Sequence, residues 1–395
     1  MTKLEELIKE LCPNGVERKK IKDEYIRLRG TPITAGKMKE IETSNGDIKI
    51  FAGGKTVINA FEKDIPNANI TRVPAVLVQS RGVIDAVYYD KPFTFKNEMW
   101  AYTAENVVSV KYLYYVLKNN IDYFRSAASG MGSLPQISLG VTEDFQIPVP
   151  PIPVQEEIVR ILDTFTELTA ELTAELTARK KQYEYYCNEL LDIRKTDVVF
   201  KTLGELSKFR RGSFPQPYGN AEWYDGEGAM PFVQVADIGE DMRLVADTKR
   251  KISTIAQPKS VFAPSGSIII SLQGSIGRIA VTQYDAYIDR TVAIFQDISK
   301  EILPKYFVYQ LQRIFAIKEK TARGSTIKTI TKEEFASFSI AVPPIDEQQR
   351  IVDVLDKFHN LCHDISEGLP AEIEARTKQY EYYREKLLAF HEMSN

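Results

Sequence analysis

Three cysteines and three histidines in 395 residues leave little material for redox or metal chemistry. Cys12, Cys187 and Cys362 lie far apart with no CxxC pair, which argues against a disulfide framework and a zinc ribbon. The histidines are all C-terminal. His359, Cys362 and His363 have i, i+3, i+4 spacing, but no further ligand or HExxH glutamate accompanies them, so they read as a solvated helix face and not a metal site. Long apolar runs are also missing. None approaches the roughly eighteen residues needed to span a bilayer, and no basic-then-apolar leader opens the sequence, so a cytoplasmic protein without membrane contact is expected.

Catalytic signatures are equally sparse. The runs GMG (130–132) and GEG (226–228) lack the last glycine and the strand-to-helix setting of a dinucleotide fingerprint. There is no GxxxxGK[ST] phosphate loop, no GxSxG elbow, and no Asn-Pro-Pro-Tyr tetrapeptide of the kind that holds a flipped adenine. The sequence predicts a chain with no catalytic residues, metal or cofactor of its own.

What the sequence does have is length, segregated charge and repetition. The length exceeds one ordinary core and implies two or three domains. The net charge of −3 conceals mildly basic and distinctly acidic parts. Residues 1–149 hold 20 Lys+Arg against 18 Asp+Glu, and residues 192–342 hold 21 against 17. Residues 150–191 hold 4 against 8, and residues 343–395 hold 6 against 11. Two basic bodies therefore alternate with two acidic connecting segments.

The acidic segments are copies of one another. PPIPVQEEIVRILDTF (150–165) matches PPIDEQQRIVDVLDKF (343–358) at an offset of 193, and ARKKQYEYYCNELL (178–191) matches ARTKQYEYYREKLL (375–388) at an offset of 197. The offsets differ by four. Between the matched ends the first copy reads LTAE LTAE LTAR, and the second, LCHD ISEG LPAE IEAR, is one tetrad longer. Apolar residues recur at spacings of three and four, which predicts helices. One stripe runs through Ile158, Phe165, Leu168, Leu172, Leu176, Tyr183 and Tyr186, and the other through Ile351, Phe358, Leu361, Tyr380 and Tyr383. Gly368 and Pro370 predict a break or kink near the middle of the second. A single narrow stripe wants one partner helix, so the two are expected to pair as an antiparallel coiled coil. At 1.5 Å per residue, a helix from Val154 to Leu191 would run about 57 Å, the length of a spacer.

The bodies repeat more faintly. KYLYYVLKNNIDYFRSAASG (111–130) aligns with KYFVYQLQRIFAIKEKTARG (305–324), and VERKKIKD (16–23) with VVFKTLGE (198–205). Each body combines β-branched apolar runs with an amphipathic helix starting near Lys111 or Lys305, an α+β unit. LEELIKEL (4–11) looks like the end of a spacer helix that completes the last one, giving a cyclic, pseudo-two-fold arrangement. The loops VQSRG, LQGSIGR, FRRGS and TARGSTIK supply the candidate contacts: Gln79, Arg81, Arg210, Arg211, Gln273, Arg278, Arg323 and Lys328. Arg can pair bidentately with guanine or phosphate, Gln can pair with adenine, and Gly lets the backbone come close.

Taken together, the paired blocks, the tetrad tract and the two bodies resemble the specificity subunit of type I restriction-modification enzymes over the whole chain. The tract looks like that of the subgroup in which tetrad copy number varies. The resemblance implies two target-recognition domains, 1–149 and 192–342, each an α/β reader of one half of a split double-stranded DNA sequence. It implies that the helical segments 150–191 and 343–395 space them and dock two methyltransferase subunits, that motor-nuclease subunits join, and that S-adenosylmethionine, ATP and magnesium belong to those partners in a prokaryotic cytoplasm. The alternative is a coiled-coil adaptor whose bodies bind protein and do not read DNA.

Overall fold

The structure, a computed structural model, describes residues 2–129, 134–192, 198–321, 332–364 and 366–391. Its main helices are α1 (Lys3–Leu11), α2 (Val107–Asn119), α3 (Ile152–Leu191), α4 (Pro304–Thr321), α5 (Ile345–His363) and α6 (Leu369–Leu388). The chain forms two compact units, Met1–Ala170 with Ala375–Asn395, and Glu171–Glu374. The division cuts α3 inside the tetrad tract, so each unit comprises one body and a share of the helical segments.

In the first unit the strands are β1 (Arg18–Lys20), β2 (Ile26–Leu28), β3 (Ile48–Phe51), β4 (Val57–Ala60), β5 (Ala75–Gln79), β6 (Asp85–Tyr89), β7 (Phe93–Phe95), β8 (Trp100–Thr103) and β9 (Gln146–Pro148). They form an antiparallel sheet of order β2-β8-β5-β6, a sheet β4-β3-β7 in which β3 and β7 run parallel, and a ribbon β1-β9. The alternation of β5 explains its unbroken apolar run. Val76 and Val78 pack on Tyr112, Leu113 and Val116 of α2, while Ala75 and Leu77 face Phe51, Phe93 and Phe95 on the other side. Both faces are covered, so the strand is apolar from Ala75 to Val78 and ends on the buried Gln79.

The second unit repeats this plan with β10 (Val199–Thr202), β11 (Lys208–Arg211), β12 (Met230–Val233), β13 (Lys251–Ile252), β14 (Val261–Ala263), β15 (Ile268–Ser271), β16 (Ile279–Val281), β17 (Ala286–Ile288), β18 (Val292–Gln296) and β19 (Ser339–Val342). The order β11-β18-β15-β16 reproduces that of the first sheet, β12 and β17 run parallel as β3 and β7 do, and β10-β19 replaces β1-β9. Strand β14 is an addition. At its place the first unit has one bridge, Thr71 to Phe93. Ile268 and Ile270 pack with Tyr306 and Phe307 of α4, and Ile269 faces Val233 and Ile288.

Each body is fastened to its spacer helix by the same three side chains. Lys111 Nζ and Tyr115 Oη donate to Asp163 at 2.6 and 2.5 Å, and Lys305 Nζ and Tyr309 Oη donate to Asp356 at 2.5 and 2.6 Å. The i, i+4 spacing of Lys and Tyr places both on one helix face. Burial, then the adjacent aspartate, pushes both phenols far above their usual range. The helical segments stack reciprocally: Phe165 on Tyr383 in the first unit (5.4 Å, 21°) and Tyr186 on Phe358 in the second (5.0 Å, 26°). These are the same two repeat positions with roles exchanged, in the sense expected for antiparallel pairing. Helix α3 runs unbroken through the tract, with Leu168, Leu172 and Leu176 half-buried, and the second segment breaks between α5 and α6 next to Gly368, as its sequence predicts.

Two sequence readings are corrected here. Leu361 is 36% exposed, because α5 buries Ile351, Leu355, His359 and Cys362, and position 361 lies about 200° around the helix from 359. Helix α1 does not complete the last spacer helix. It begins at its own capping box, with Thr2 and Glu5 bonded reciprocally, and packs beside the end of α6, where Leu4 shares a core with Leu388 and Val16 N donates to His391 O at 3.0 Å.

Glu157 ties α3 to α1. Its carboxylate accepts from Arg160 Nη2 and Nε at 2.6 and 3.0 Å and lies 3.0 Å from Lys3 Nζ. Arg160 foremost, with Lys3, holds its pKa down at about 2, against an ordinary value near 4.5. A depressed folded-state pKa contributes stability that is present above pH 4.5 and lost as pH falls toward 2. We expect the melting temperature of the first unit to fall across that window in a calorimetric pH series, and Glu157→Gln to flatten the fall. An unchanged slope in the variant would refute the assignment.

Candidate nucleic-acid interface

In both units three segments meet where strands end. In the first they are Arg29-Gly30 after β2, Ser80-Arg81-Gly82 after β5, and the turn 96–99 after β7. Ser80 Oγ donates to Glu98 O, Gly54 N to Arg81 O at 2.8 Å, and Lys96 N to Phe51 O at 2.9 Å. In the second unit they are Arg211-Gly212 after β11, the loop 272–278 after β15, and the turn 289–292 after β17. Gly212 N donates to Val292 O and Leu272 N to Thr291 O, both at 2.8 Å.

The sequence-nominated residues divide on this frame. Arg81, Arg210, Arg211 and Arg278 are exposed and Gln273 is half-buried. Gln79, by contrast, is 5% exposed, so its amide is not offered to a partner. It ends a strand covered on both faces, and a one-sided reading of VQSRG does not register that cover. Arg278 Nη1 donates to Ile238 O at 3.3 Å, which directs its guanidinium toward that turn. Arg323 and Lys328 lie outside the described residues.

The glycines serve the fold. A Cβ at Gly30 would strike Phe95 O, and one at Gly212 would strike Ile288 O and Asp289 O, so in both Arg-Gly pairs the glycine admits the protein's own next strand. Gly277, at φ +85°, lies against the ring of Phe315. At Gly212 and Gly277 the expectation that loop glycines admit a partner's backbone is replaced by close contacts within the fold, whereas a Cβ at Gly274 would meet nothing within 4 Å.

Residues passed over in the sequence reading occupy the same edge. Arg29 and Asn97 are exposed and, with Arg27, Asn69 and Trp100, line a cleft of about 460 Å³. In the second unit Arg290 is exposed, with its guanidinium 5.6 Å from the centre of the Tyr218 ring. Arg250 lies 4.5 Å over Tyr224, and Lys259 lies 4.8 Å over Trp223. Cations seated on aromatic faces keep their charge available at a surface. Beneath Arg290, Asp289 is 2% exposed and accepts from Tyr218 Oη, from Thr291 N at 2.9 Å and from Thr291 Oγ1 at 2.6 Å, while Gln234 Nε2 donates to Tyr218 Oη at 2.8 Å. Burial, then Asp289, pushes the Tyr218 phenol far up. The available signals were the parallel of RLRG (27–30) with FRRG (209–212), and the repeat offset of 193, which sets Asn97 on Arg290.

The histidine cluster is not a solvated face. His359 is 7% exposed, its Nε2 lies 3.0 Å from Asp241 O, and its ring stacks on His363 at 4.7 Å beside a cavity of about 740 Å³. Burial lowers the pKa of both imidazoles. Among the described residues no group of three His, Cys, Asp or Glu is arranged to hold a metal ion.

Two copies of one α+β body, each fastened to long helices and each carrying a cationic loop edge, define a duplicated recognition protein. A family model for the type I restriction modification DNA specificity domain matches residues 15–179 and again 195–375, and the chain belongs to that family. The EcoR124I/EcoR124II type I restriction enzyme specificity subunit of Escherichia coli is 34% identical over 363 residues, covering 87% of each chain. A putative type I restriction enzyme specificity subunit of Haemophilus influenzae is 32% identical over 307 residues, covering 75% of this chain and 77% of its own. In fold, the chain is similar to the crystal structure of a type I restriction-modification S subunit from M. genitalium, with a TM-score of 0.61 at 17% identity over 94% of this chain and 96% of that one. A chain from a structural study of type I R-M complex assembly gives a TM-score of 0.56 at 17% identity over 95% and 98%.

Proposed function

We propose that this chain is the DNA-recognition subunit of a type I restriction-modification assembly. Each body reads one half of a bipartite double-stranded target, and the helical segments fix the unread gap and dock two methyltransferase subunits. Motor-nuclease subunits join that core. Methyl transfer, ATP hydrolysis and cleavage belong to the partners, with their S-adenosylmethionine, ATP and magnesium, and this chain supplies address and scaffold in a prokaryotic cytoplasm. No helix among the described residues is long and apolar enough to cross a membrane. The tetrad tract acts as an adjustable spacer.

One observation carries the reading: the two bodies share strand order, parallel pairing and helix latch, yet present different polar side chains at equivalent loop positions. A common frame with a divergent edge is what two readers of different half-sites require. The low net charge accords with a reader that works inside a larger complex, where partners neutralise much of the phosphate.

The test is a modified-base map of DNA from cells expressing this chain with its methyltransferase subunit, against cells expressing that subunit alone. We expect a new two-part motif with a fixed gap only when the chain is present. A stable complex without new methylation would favour the adaptor reading.

A further inference from the structure

The turns 96–99 and 289–292 are one structure built twice. Met99 N donates to Lys96 O, and Val292 N to Asp289 O, each at 2.9 Å, and the two turns are separated by the repeat offset of 193. Each joins the strand that runs parallel to a neighbour (β7, β17) to the next strand of the four-stranded sheet (β8, β18). Their flanking residues are committed inward. Lys96 Nζ pairs with Glu98 at 3.0 Å, and Glu98 O accepts from Ser80 Oγ, while the Asp289 carboxylate is held by Tyr218 and Thr291. Only the second residue of each turn is left with its side chain outward. It is Asn97 in one body and Arg290 in the other, both exposed and, among the described residues, without an ion pair or side-chain hydrogen bond.

We infer that these turns are reading heads, in which Asn97 pairs with an adenine in the first body's half-site and Arg290 with a guanine in the second's. The inference rests on the DNA-recognition function proposed above. Asn matches adenine N6 and N7 with one donor and one acceptor, and Arg matches guanine O6 and N7 with two donors. A side chain projected from a turn whose neighbours are fixed loses little freedom on docking, which favours discrimination between bases. Tyr218 is a positioning residue: its ring underlies the guanidinium, and Asp289 and Gln234 fix its hydroxyl.

The experiment uses the full chain in complex with its methyltransferase subunits and compares wild type, Asn97→Ala, Arg290→Ala and Arg290→Lys. Readouts are the modified-base map and binding to duplexes carrying single base-pair replacements. For Arg290→Ala we expect one G·C position in one half-site to lose discrimination by about 10- to 100-fold, with the other half-site unchanged. Asn97→Ala should do the same at one A·T position of the other half-site. Arg290→Lys keeps the charge without the fork, so it should bind yet stay relaxed. An unchanged motif in both alanine variants overturns the inference. So does a uniform loss of affinity at every sequence that Arg290→Lys restores, because that marks a phosphate contact. If the wild-type complex writes no two-part motif, the DNA-recognition function fails first, and these variants are not its cause.

Discussion

Deleting residues 169–172 is expected to shorten the unread gap of the target by about one base pair while both half-sites keep their sequence. One tetrad of α-helix adds about 6 Å and about 40° of net rotation, whereas one base pair of B-DNA adds about 3.4 Å and about 35°. Rotation matches one base pair, and translation is nearer two. Rotational phase should decide the outcome, because a reader turned off its groove makes no contacts, while an inclined helix can absorb excess length. The local structure makes the deletion clean. Thr169 Oγ1 donates to Phe165 O at 2.8 Å and Thr177 Oγ1 to Thr173 O at 2.9 Å, so successive tetrads satisfy themselves in the same way. The compact units divide at Ala170 and Glu171, so the lost residues come from the joint and leave the body cores intact. Modified-base maps of wild type and deletion decide the matter. A constant gap, or altered half-sites, would refute the ruler.

The parts of the molecule governed by periodicity were legible in the sequence. The 40-residue α3, the break next to Gly368 and the starts of α2 and α4 near Lys111 and Lys305 all follow from spacings of three and four and from proline and glycine punctuation. Which neighbour a residue meets was not legible. Phe358 and His359 are adjacent on α5, and the 241 loop together with the rings of Tyr183 and His363 makes His359 the buried one. Gly212 read as a partner-facing loop residue because the carbonyls that exclude a Cβ, at Ile288 and Asp289, lie far away in sequence. Asn97 and Arg290 carried no local motif. The repeat offset of 193 sets one on the other, and strand pairing places both in the same turn of their bodies.

The internal repeat also yields a stability prediction with a built-in control. Gln348 and Gln155 occupy the same repeat position, 193 apart, and both are buried. Gln348, at 0% exposure, makes three hydrogen bonds of 2.8 Å: its Oε1 accepts from Leu303 N, and its Nε2 donates to Glu301 O and Pro343 O. It thereby ties the start of α5 to the segment entering α4. Gln155 Nε2 donates to Pro150 O at 2.8 Å, but its buried Oε1 has no partner among the described residues. Each backbone group left unsatisfied costs roughly 1–3 kcal/mol, so Gln348→Leu, which orphans three, should destabilise the second unit by at least about 3 kcal/mol. For a unit of this size that corresponds to a fall in melting temperature of about 10 °C. Gln155→Leu orphans one carbonyl and removes one unpaired acceptor, so its net effect on the first unit should stay within about 1 kcal/mol. Calorimetry of the two variants, with the transitions assigned to each unit, checks the contrast. Equal losses would mean that packing volume at this position, and not the hydrogen-bond complement, holds the helix to the body.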